Sequence, residues 1–156
     1  MSGQAGRSGL LPVAVSGDWT ALHADAMAVR MEVFVREQGI PAELEWDEDD
    51  ARSLHVVLRD GQGLAVATGR LLPAHDGVAK IGRMAVLSAW RGKGLGAQVM
   101  RALSAAAWQR GDRELVLHAQ AAAVGFYRRL GFESRGDPFD EVGMPHQQMF
   151  KTAPGR

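Results

Sequence analysis

Apolar residues recur at helical spacing between residues 19 and 39, and this pattern predicts a first amphipathic helix. Asp18 stands before the pattern as its N-cap, and Gly39 ends it as a C-cap with a proline just beyond. A second, longer helix is predicted for residues 94–110, where the apolar residues again form one stripe. A short third helix is predicted within residues 121–132.

Short apolar and β-branched runs, bounded by turn residues, predict seven strands around these helices. The runs are 10–15, 53–60, 64–74, 78–87, 114–119, 132–136 and 144–151. The element order is therefore β-α-β-β-β-α-β-α-β-β, in which three consecutive strands form a meander. This order predicts an α+β fold, with a mixed and mostly antiparallel central sheet flanked by helices.

The chain length of 156 residues favours one domain with a substantial core. We predict that residues 1–9 form a flexible leader, residues 10–151 the domain, and residues 152–156 a C-terminal tail. The apolar content of 46% and the charged content of 23% are near globular averages. No apolar run approaches the roughly 20 residues of a membrane helix, so we expect no membrane association.

The chain contains no cysteine, which excludes disulfides, thiolate catalysis and cysteine zinc sites and fits a cytoplasmic protein. The formal net charge is zero, which gives no support to non-specific binding of nucleic acid. Acidic residues are nevertheless concentrated in residues 43–50. Their spacing does not match a calcium loop, so no metal is predicted. They form either a solvated loop or a surface that attracts a cationic amine.

Residues 91–96, with the sequence RGKGLG, join the predicted strand at 78–87 to the second helix. Their G-x-G-x-G spacing does not match the dinucleotide fingerprint. Lys93 is followed by glycine, and not by the Ser or Thr of a triphosphate-binding loop. Glycines before a helix let an anion approach unpaired N–H groups, and Arg91 and Lys93 add positive charge. The alternative is a glycine-rich turn whose cations are only solvated.

Two segments, IGRMAVLSAWRGKGLG (81–96) and GFYRRLGF (125–132), resemble the GNAT superfamily of N-acetyltransferases. In that family a strand, an R-G-x-G-x-G/A loop and a helix together bind acetyl-coenzyme A. The segment VFVREQGIP (33–41) and several shorter motifs narrow the resemblance to the ElaA-like or YjcF-like bacterial subgroup. The shorter motifs are Asp47 and Asp50, His55, GRL (69–71), AQ (119–120) and GMPH (143–146).

The resemblance implies that acetyl-coenzyme A is the acyl donor. The strand backbone at Met84, Ala85 and Val86 would then pair with the pantetheine arm, although core packing is a compatible role for their side chains. Phe126, in the third helix, would also lie at the cofactor. The N–H groups expected to receive the pyrophosphate belong to Arg91, Gly92, Lys93, Gly94, Leu95 and Gly96.

The resemblance also implies two catalytic residues. Tyr127, the only tyrosine of the chain, would lie near the coenzyme sulfur and give it a proton; its alternative role is that of a core aromatic residue. Glu37, in the VFVREQ segment, is the candidate for deprotonating the acceptor amine. Its alternative is a carboxylate on a solvated face.

Four residues with imidazole or amide side chains are candidates for the acceptor side. His55 and His146 suit a proton relay near neutral pH, although a lone histidine is more often structural. His118 shares a strand face with Gln120 and departs from the subgroup, where a small residue is usual.

Arg70 and Arg83 come from two neighbouring predicted strands and are the remaining acceptor-side candidates. They either anchor a substrate carboxylate or form ion pairs with Glu37 or with the acidic segment. The sequence leaves these two roles open.

These features together predict an acetyl-CoA-dependent N-acetyltransferase that acts on a primary amine of a small molecule or peptide by direct attack in a ternary complex. The alternative is a sensor module that binds acyl-CoA without turnover. A nucleic-acid-binding domain is a third reading, disfavoured by the zero net charge and the single tyrosine. Many relatives dimerise, which leaves a homodimer open.

Overall fold

A mixed sheet of eight strands organises residues 12–155, the part of the chain that the computed structural model describes. The strands are β1 (Val13–Gly17), β2 (Leu54–Arg59), β3 (Ala65–Leu71), β4 (Val78–Val86), β5 (Glu114–Gln120), β6 (Glu133–Ser134), β7 (Phe139–Glu141) and β8 (Met144–Thr152). Their order is β1-β2-β3-β4-β5-β8-β6, and β7 pairs with β8. Only the β4–β5 pair is parallel among these described strands. The predicted α+β fold with a mostly antiparallel sheet is confirmed.

Three α-helices flank the sheet in the described region: α1 (Trp19–Arg30), α2 (Leu95–Gln109) and α3 (Val124–Arg129). The Asp18 side chain accepts a hydrogen bond from the Ala21 N–H at 2.9 Å, so the predicted N-cap of α1 is present. Helix α1 packs on the face of β2 that presents Val57, whereas α2 packs on the face that presents Val56 and Leu58. Because alternate strand residues point to opposite faces, the two helices cover opposite sides of the sheet.

The structure differs from the predicted elements in three places. The first helix changes after Arg30 into a π-helical segment, Met31–Glu37. The acidic segment forms two 3₁₀ turns, Ala42–Leu44 and Glu48–Arg52, in agreement with the short irregular helix that its lack of apolar periodicity allows. Strand β7 was not predicted, because three residues give too short a pattern to recognise. The first strand begins at Val13, and the predicted leader and residues 10–11 lie outside the described residues.

Strands β4 and β5 diverge halfway along their length. Their parallel pairing covers only Val78–Ile81 against Glu114–Leu117. Beyond this point β4 contains one more residue than β3, because Thr68 pairs with Ala85 but Arg70 pairs with Gly82. Arg83 occupies this β-bulge with a φ of 54°. A bulge bends the strand that carries it, so the second half of β4 separates from β5 and leaves a gap in the sheet.

Candidate active site

The RGKGLG loop lies between the end of β4 and the first turn of α2. Gly92 and Gly94 have φ values of 77° and 83°, a left-handed conformation that glycine adopts without strain. No hydrogen bond from the N–H groups of Gly92 or Gly94 is formed within residues 12–155, and the first N–H groups of α2 have no intrahelical partner. A Cβ added at Gly92 or Gly94 would meet nothing within 4 Å. The loop therefore offers open space lined by N–H donors, which fits a pyrophosphate.

Arg91 forms an ion pair and hydrogen bonds with other residues of the protein. Its guanidinium makes a bidentate pair with Glu37, with one N–O distance of 2.7 Å, and its Nε donates to the Val86 carbonyl at 3.0 Å. Its backbone N–H donates to the Ser88 carbonyl at 3.3 Å. The Arg91 hydrogen bond lowers the pKa of the Glu37 carboxyl. Arg91 therefore ties the end of the π-helical segment to the loop.

Gly96 permits a close contact between two helices. A Cβ at this position would lie 3.0 Å from the Phe126 ring of α3. The Phe126 ring in turn packs edge-on against Tyr127, with ring centroids 4.9 Å apart. Gly96 and Phe126, two of the predicted cofactor residues, thus connect the first turn of α2 to the helix that carries Tyr127.

The gap between β4 and β5 begins where the pantetheine arm was expected. Met84, Ala85 and Val86 lie on β4 beyond its last pairing with β5, so this edge of β4 faces the gap. Across the mouth of the gap, Gln38 and Gln120 exchange two amide hydrogen bonds, at 3.0 and 3.3 Å. This amide pair connects the end of the π-helical segment to the end of β5.

A cleft of about 360 Å³ opens beside this gap. Tyr127 lines it and is 8% exposed. Burial raises the pKa of the Tyr127 phenol, which keeps the hydroxyl protonated at neutral pH and makes it a weaker acid than an exposed tyrosine. Glu37 is not among the residues that line the cleft.

Glu45 lines the same cleft, and sequence reasoning missed it. It is 4% exposed, and its Oε1 has no hydrogen-bond partner among the described residues. Burial raises the pKa of the Glu45 carboxyl, although the charges of Arg83, Arg30 and Arg70 partly offset this rise. A buried carboxylate with a free oxygen in a cleft is suited to accepting a proton. The sequence does not distinguish Glu45 from the acidic residues around it, because burial depends on tertiary packing.

A network of ion pairs includes three residues that line the cleft, Asp47, Arg70 and Arg83. Arg70 Nη1 contacts Asp47 Oδ1 at 2.7 Å and Asp50 Oδ1 at 2.9 Å, and Arg83 Nη2 contacts Asp47 Oδ2 at 3.1 Å. Arg30 also pairs with Asp50, at 2.9 Å. Of the two roles left open for Arg70 and Arg83, the structure shows ion pairs with the acidic segment.

The three candidate histidines lie in different surroundings. His118 and His146 line the cleft; His118 Nδ1 is 3.0 Å from Glu141 Oε1, and His146 Nδ1 is 2.8 Å from the Met144 carbonyl. His55 is 1% exposed and does not line the cleft. Its Nε2 lies 2.9 Å from the Asp50 carbonyl, and burial lowers its pKa. The structure thus places His55 in the packing around the ion network.

The ion pair between Asp47 and Arg70 predicts that the stability of the folded protein depends on pH. The hydrogen bonds from Arg70 lower the pKa of Asp47 to about 2, from an ordinary value of 3.8. Its stabilisation is therefore complete above about pH 4 and is lost as the pH falls through about 2. We expect Asp47→Asn to lower the Tm at neutral pH, and the difference from wild type to shrink between about pH 4 and pH 2.

Thermal melting followed by circular dichroism checks this expectation. Asp137→Asn, at an exposed position of the β6–β7 connection, is the control and should show no such narrowing. A Tm difference for Asp47→Asn that stays constant down to about pH 2 would contradict the ion pair.

Comparison with known proteins assigns the chain to a family. A family model described as an acetyltransferase (GNAT) domain matches residues 22–153. YjcF of Bacillus subtilis, named an uncharacterised N-acetyltransferase, is 42% identical over 128 residues, which cover 81% of this chain and 90% of YjcF. The fold and these matches define an N-acyltransferase. The chain belongs to the GNAT family of acetyltransferases, as its motifs predicted.

Two solved structures agree with this assignment. Escherichia coli ElaA has a TM-score of 0.81 and 27% identity, with coverage of 90% of this chain and 99% of ElaA. An acyl-CoA N-acyltransferase from Pseudomonas aeruginosa has a TM-score of 0.79 and 33% identity, with coverage of 91% and 100%. The ElaA-like and YjcF-like subgroup predicted from the motifs is confirmed, and acyl-CoA is the donor class of the family.

Residues 12–155 also lack two features, a metal-binding cluster and a membrane-spanning helix. No cluster of three or more His, Asp or Glu side chains in that range is arranged to hold a metal ion. None of the helices within the same residues combines the length and the apolar character needed to cross a membrane.

Proposed function

We propose that the protein transfers an acetyl group from acetyl-CoA to a primary amine of a small molecule or peptide, by direct attack in a ternary complex. One observation carries this proposal: the N–H-lined loop at α2 leads into the gap between β4 and β5, and the gap opens on the cleft that holds Tyr127. The loop would bind the pyrophosphate, and the free edge of β4 would pair with the pantetheine arm.

Direct attack fits the chemistry of the chain. It has no cysteine to form an acyl-enzyme thioester, and the cleft lies beside the gap on the side where an acceptor would enter. Holding donor and acceptor together turns a bimolecular step into an effectively unimolecular one. Tyr127 would protonate the departing thiolate, a role that its position in the cleft beside the gap supports.

Tyr127→Phe tests this proposal. We expect kcat for acetyl transfer to fall by about 100-fold, because proton transfer by a positioned side chain contributes that order of rate. Thiol release from acetyl-CoA over a panel of primary amines measures kcat, and calorimetry measures acetyl-CoA binding, which should not change. Binding without turnover in the wild type, together with indifference to the substitution, would instead favour an acyl-CoA sensor.

A further inference from the structure

Two exposed apolar side chains form a rim at the mouth of the cleft. Leu44 is 46% exposed and Val142 is 42% exposed, and both line the cleft. Trp46, in the same segment as Leu44, is 56% exposed. Leu44 and Val142 line the same cleft, so a molecule bound there would be able to cover both side chains. The rim comes from two separate segments, the acidic segment and the β7–β8 turn.

Val142 adopts a backbone conformation that valine disfavours. It forms the two-residue turn between β7 and β8 with Gly143, and the two φ values are 47° and 76°. Such hairpin turns favour Asn-Gly, since both residues need a positive φ. A β-branched residue in this conformation is a genuine outlier, and strained residues cluster at functional sites. Of the three non-glycine residues with positive φ in the described region, Val142 and Arg83 both line the cleft.

Glu45 is one of the polar residues that line the same cleft. Its side chain follows Leu44 directly in sequence but is almost fully buried, with Oε1 unpartnered among the described residues. Its nearest cation is Arg83, whose Nε is 4.0 Å from Oε1, beyond hydrogen-bond distance. The lining of the cleft therefore includes a buried carboxylate and two exposed apolar side chains.

We propose that the acceptor is a primary amine with an apolar or aromatic body, bound with its amino group at the Glu45 carboxylate and its body against Leu44 and Val142. This proposal rests on the proposed acetyl transfer and names its acceptor class. A carboxylate matches an ammonium group in charge, and the apolar rim removes the rest of the molecule from water.

The proton balance of the step follows from this placement. Glu45 accepts one proton from the acceptor's ammonium group, and the neutral nitrogen forms a bond to the acetyl carbon as the carbon–sulfur bond breaks. Tyr127 gives its proton to the thiolate and regains one from the nitrogen, which becomes the amide. Glu45 then releases its proton to water, so the products are the acetylated amine, the free thiol and one proton.

The acceptor class is tested with four amines and the full-length wild-type chain. Phenethylamine and hexylamine carry apolar bodies, whereas ethanolamine and spermidine are polar. We expect kcat/KM to be higher for the two apolar amines by about tenfold or more, because each buried methylene contributes on that scale. Preference for the polar amines, or bound acetyl-CoA with transfer to neither apolar amine, would overturn the proposal. Failure to bind acetyl-CoA would instead refute the proposed function.

Val142→Asn tests whether Val142 contacts the acceptor, because it should change KM and the Tm in ways that a loss of folding would not. Asparagine tolerates a positive φ, so we expect the Tm to rise by about 2–4 °C while KM for phenethylamine rises by about tenfold. Val13→Asn is the matched control, since Val13 is an exposed valine on β1 that does not line the cleft. It should leave KM unchanged. A Val142→Asn variant with raised Tm and unchanged KM would overturn the contact with the acceptor.

Glu45→Gln tests the proposed contact between Glu45 and the amino group of the acceptor. We expect kcat for phenethylamine to fall by about 100-fold with acetyl-CoA binding unchanged, since the amide cannot accept the proton. Glu43→Gln, at an exposed acid of the same segment, should behave as wild type. Equal activity of the two variants would overturn the role of Glu45. A fall in kcat that is accompanied by lost acetyl-CoA binding would also overturn it, because the effect would then lie in the fold.

Discussion

Asp50→Ala is expected to lower the free energy of unfolding by about 3–5 kcal/mol, the range found when one partner of a buried ion pair is removed. Asp50 is 0% exposed and accepts hydrogen bonds from Arg30 at 2.9 and 3.1 Å and from Arg70 at 2.9 Å. Burial raises the pKa of Asp50, but its hydrogen bond with Arg30 and the charges of Arg30 and Arg70 outweigh this and lower it. Its removal would leave the buried Arg30 without its only carboxylate partner among the described residues.

Urea unfolding measures this loss. Asp49→Ala is the control, because Asp49 lies in the same 3₁₀ turn but pairs with Arg52, which is 63% exposed. An exposed pair of this kind contributes about 0–1 kcal/mol. Equal costs for the two variants would show that the buried network does not stabilise the fold.

The ion pairs that stabilise the fold also position residues of the cleft. Asp50 orients Arg70, Arg70 holds Asp47, and Asp47 in turn holds Arg83 beside Glu45. The segment that supplies Glu45 and Leu44 is therefore fixed by ion pairs to β3 and β4. Positioning of this kind is what a catalytic group needs from the residues around it.

Periodicity in the sequence predicted the elements that bury one continuous face. Helix α2 was predicted within a residue at each end, because its apolar stripe is long and glycines stand at both ends. The N-cap at Asp18 was predicted from residue type alone, since its role depends on local geometry. The glycine loop was assigned to the cofactor by its resemblance to a family motif, since residue type alone also allowed a solvated glycine-rich turn.

The acceptor side of the cleft was predicted less well, since it depends on contacts between distant segments. Glu37 and Glu45 are both acids near the end of the first helix, and only the folded structure shows that one pairs with Arg91 while the other is buried in the cleft. Val142 gave no sequence signal, because its importance comes from a strained turn beside a short strand. The same holds for the bulge at Arg83, which opens the gap between β4 and β5.

Gly94→Ala is expected to weaken acetyl-CoA binding by about 100-fold. Gly94 is the N-cap of α2 with a φ of 83°, and its N–H group is open to the space in front of the helix. A Cβ in that space would displace the pyrophosphate from two charge-assisted hydrogen bonds, each contributing about 1.5 kcal/mol, and about 3 kcal/mol corresponds to that loss of affinity. Alanine at this φ also costs about 1–2 kcal/mol of stability.

Gly111→Ala is the matched control, because Gly111 follows the other end of α2, has a φ of 95° and likewise has no atom within 4 Å of an added Cβ. It carries a similar strain cost but does not line the loop. Calorimetric titration of acetyl-CoA into wild type, Gly94→Ala and Gly111→Ala therefore tests the proposed cofactor site most directly. We predict that wild type and Gly111→Ala bind alike and that Gly94→Ala binds far more weakly. Absence of binding to the wild type, or equal affinity of the two variants, would contradict the account.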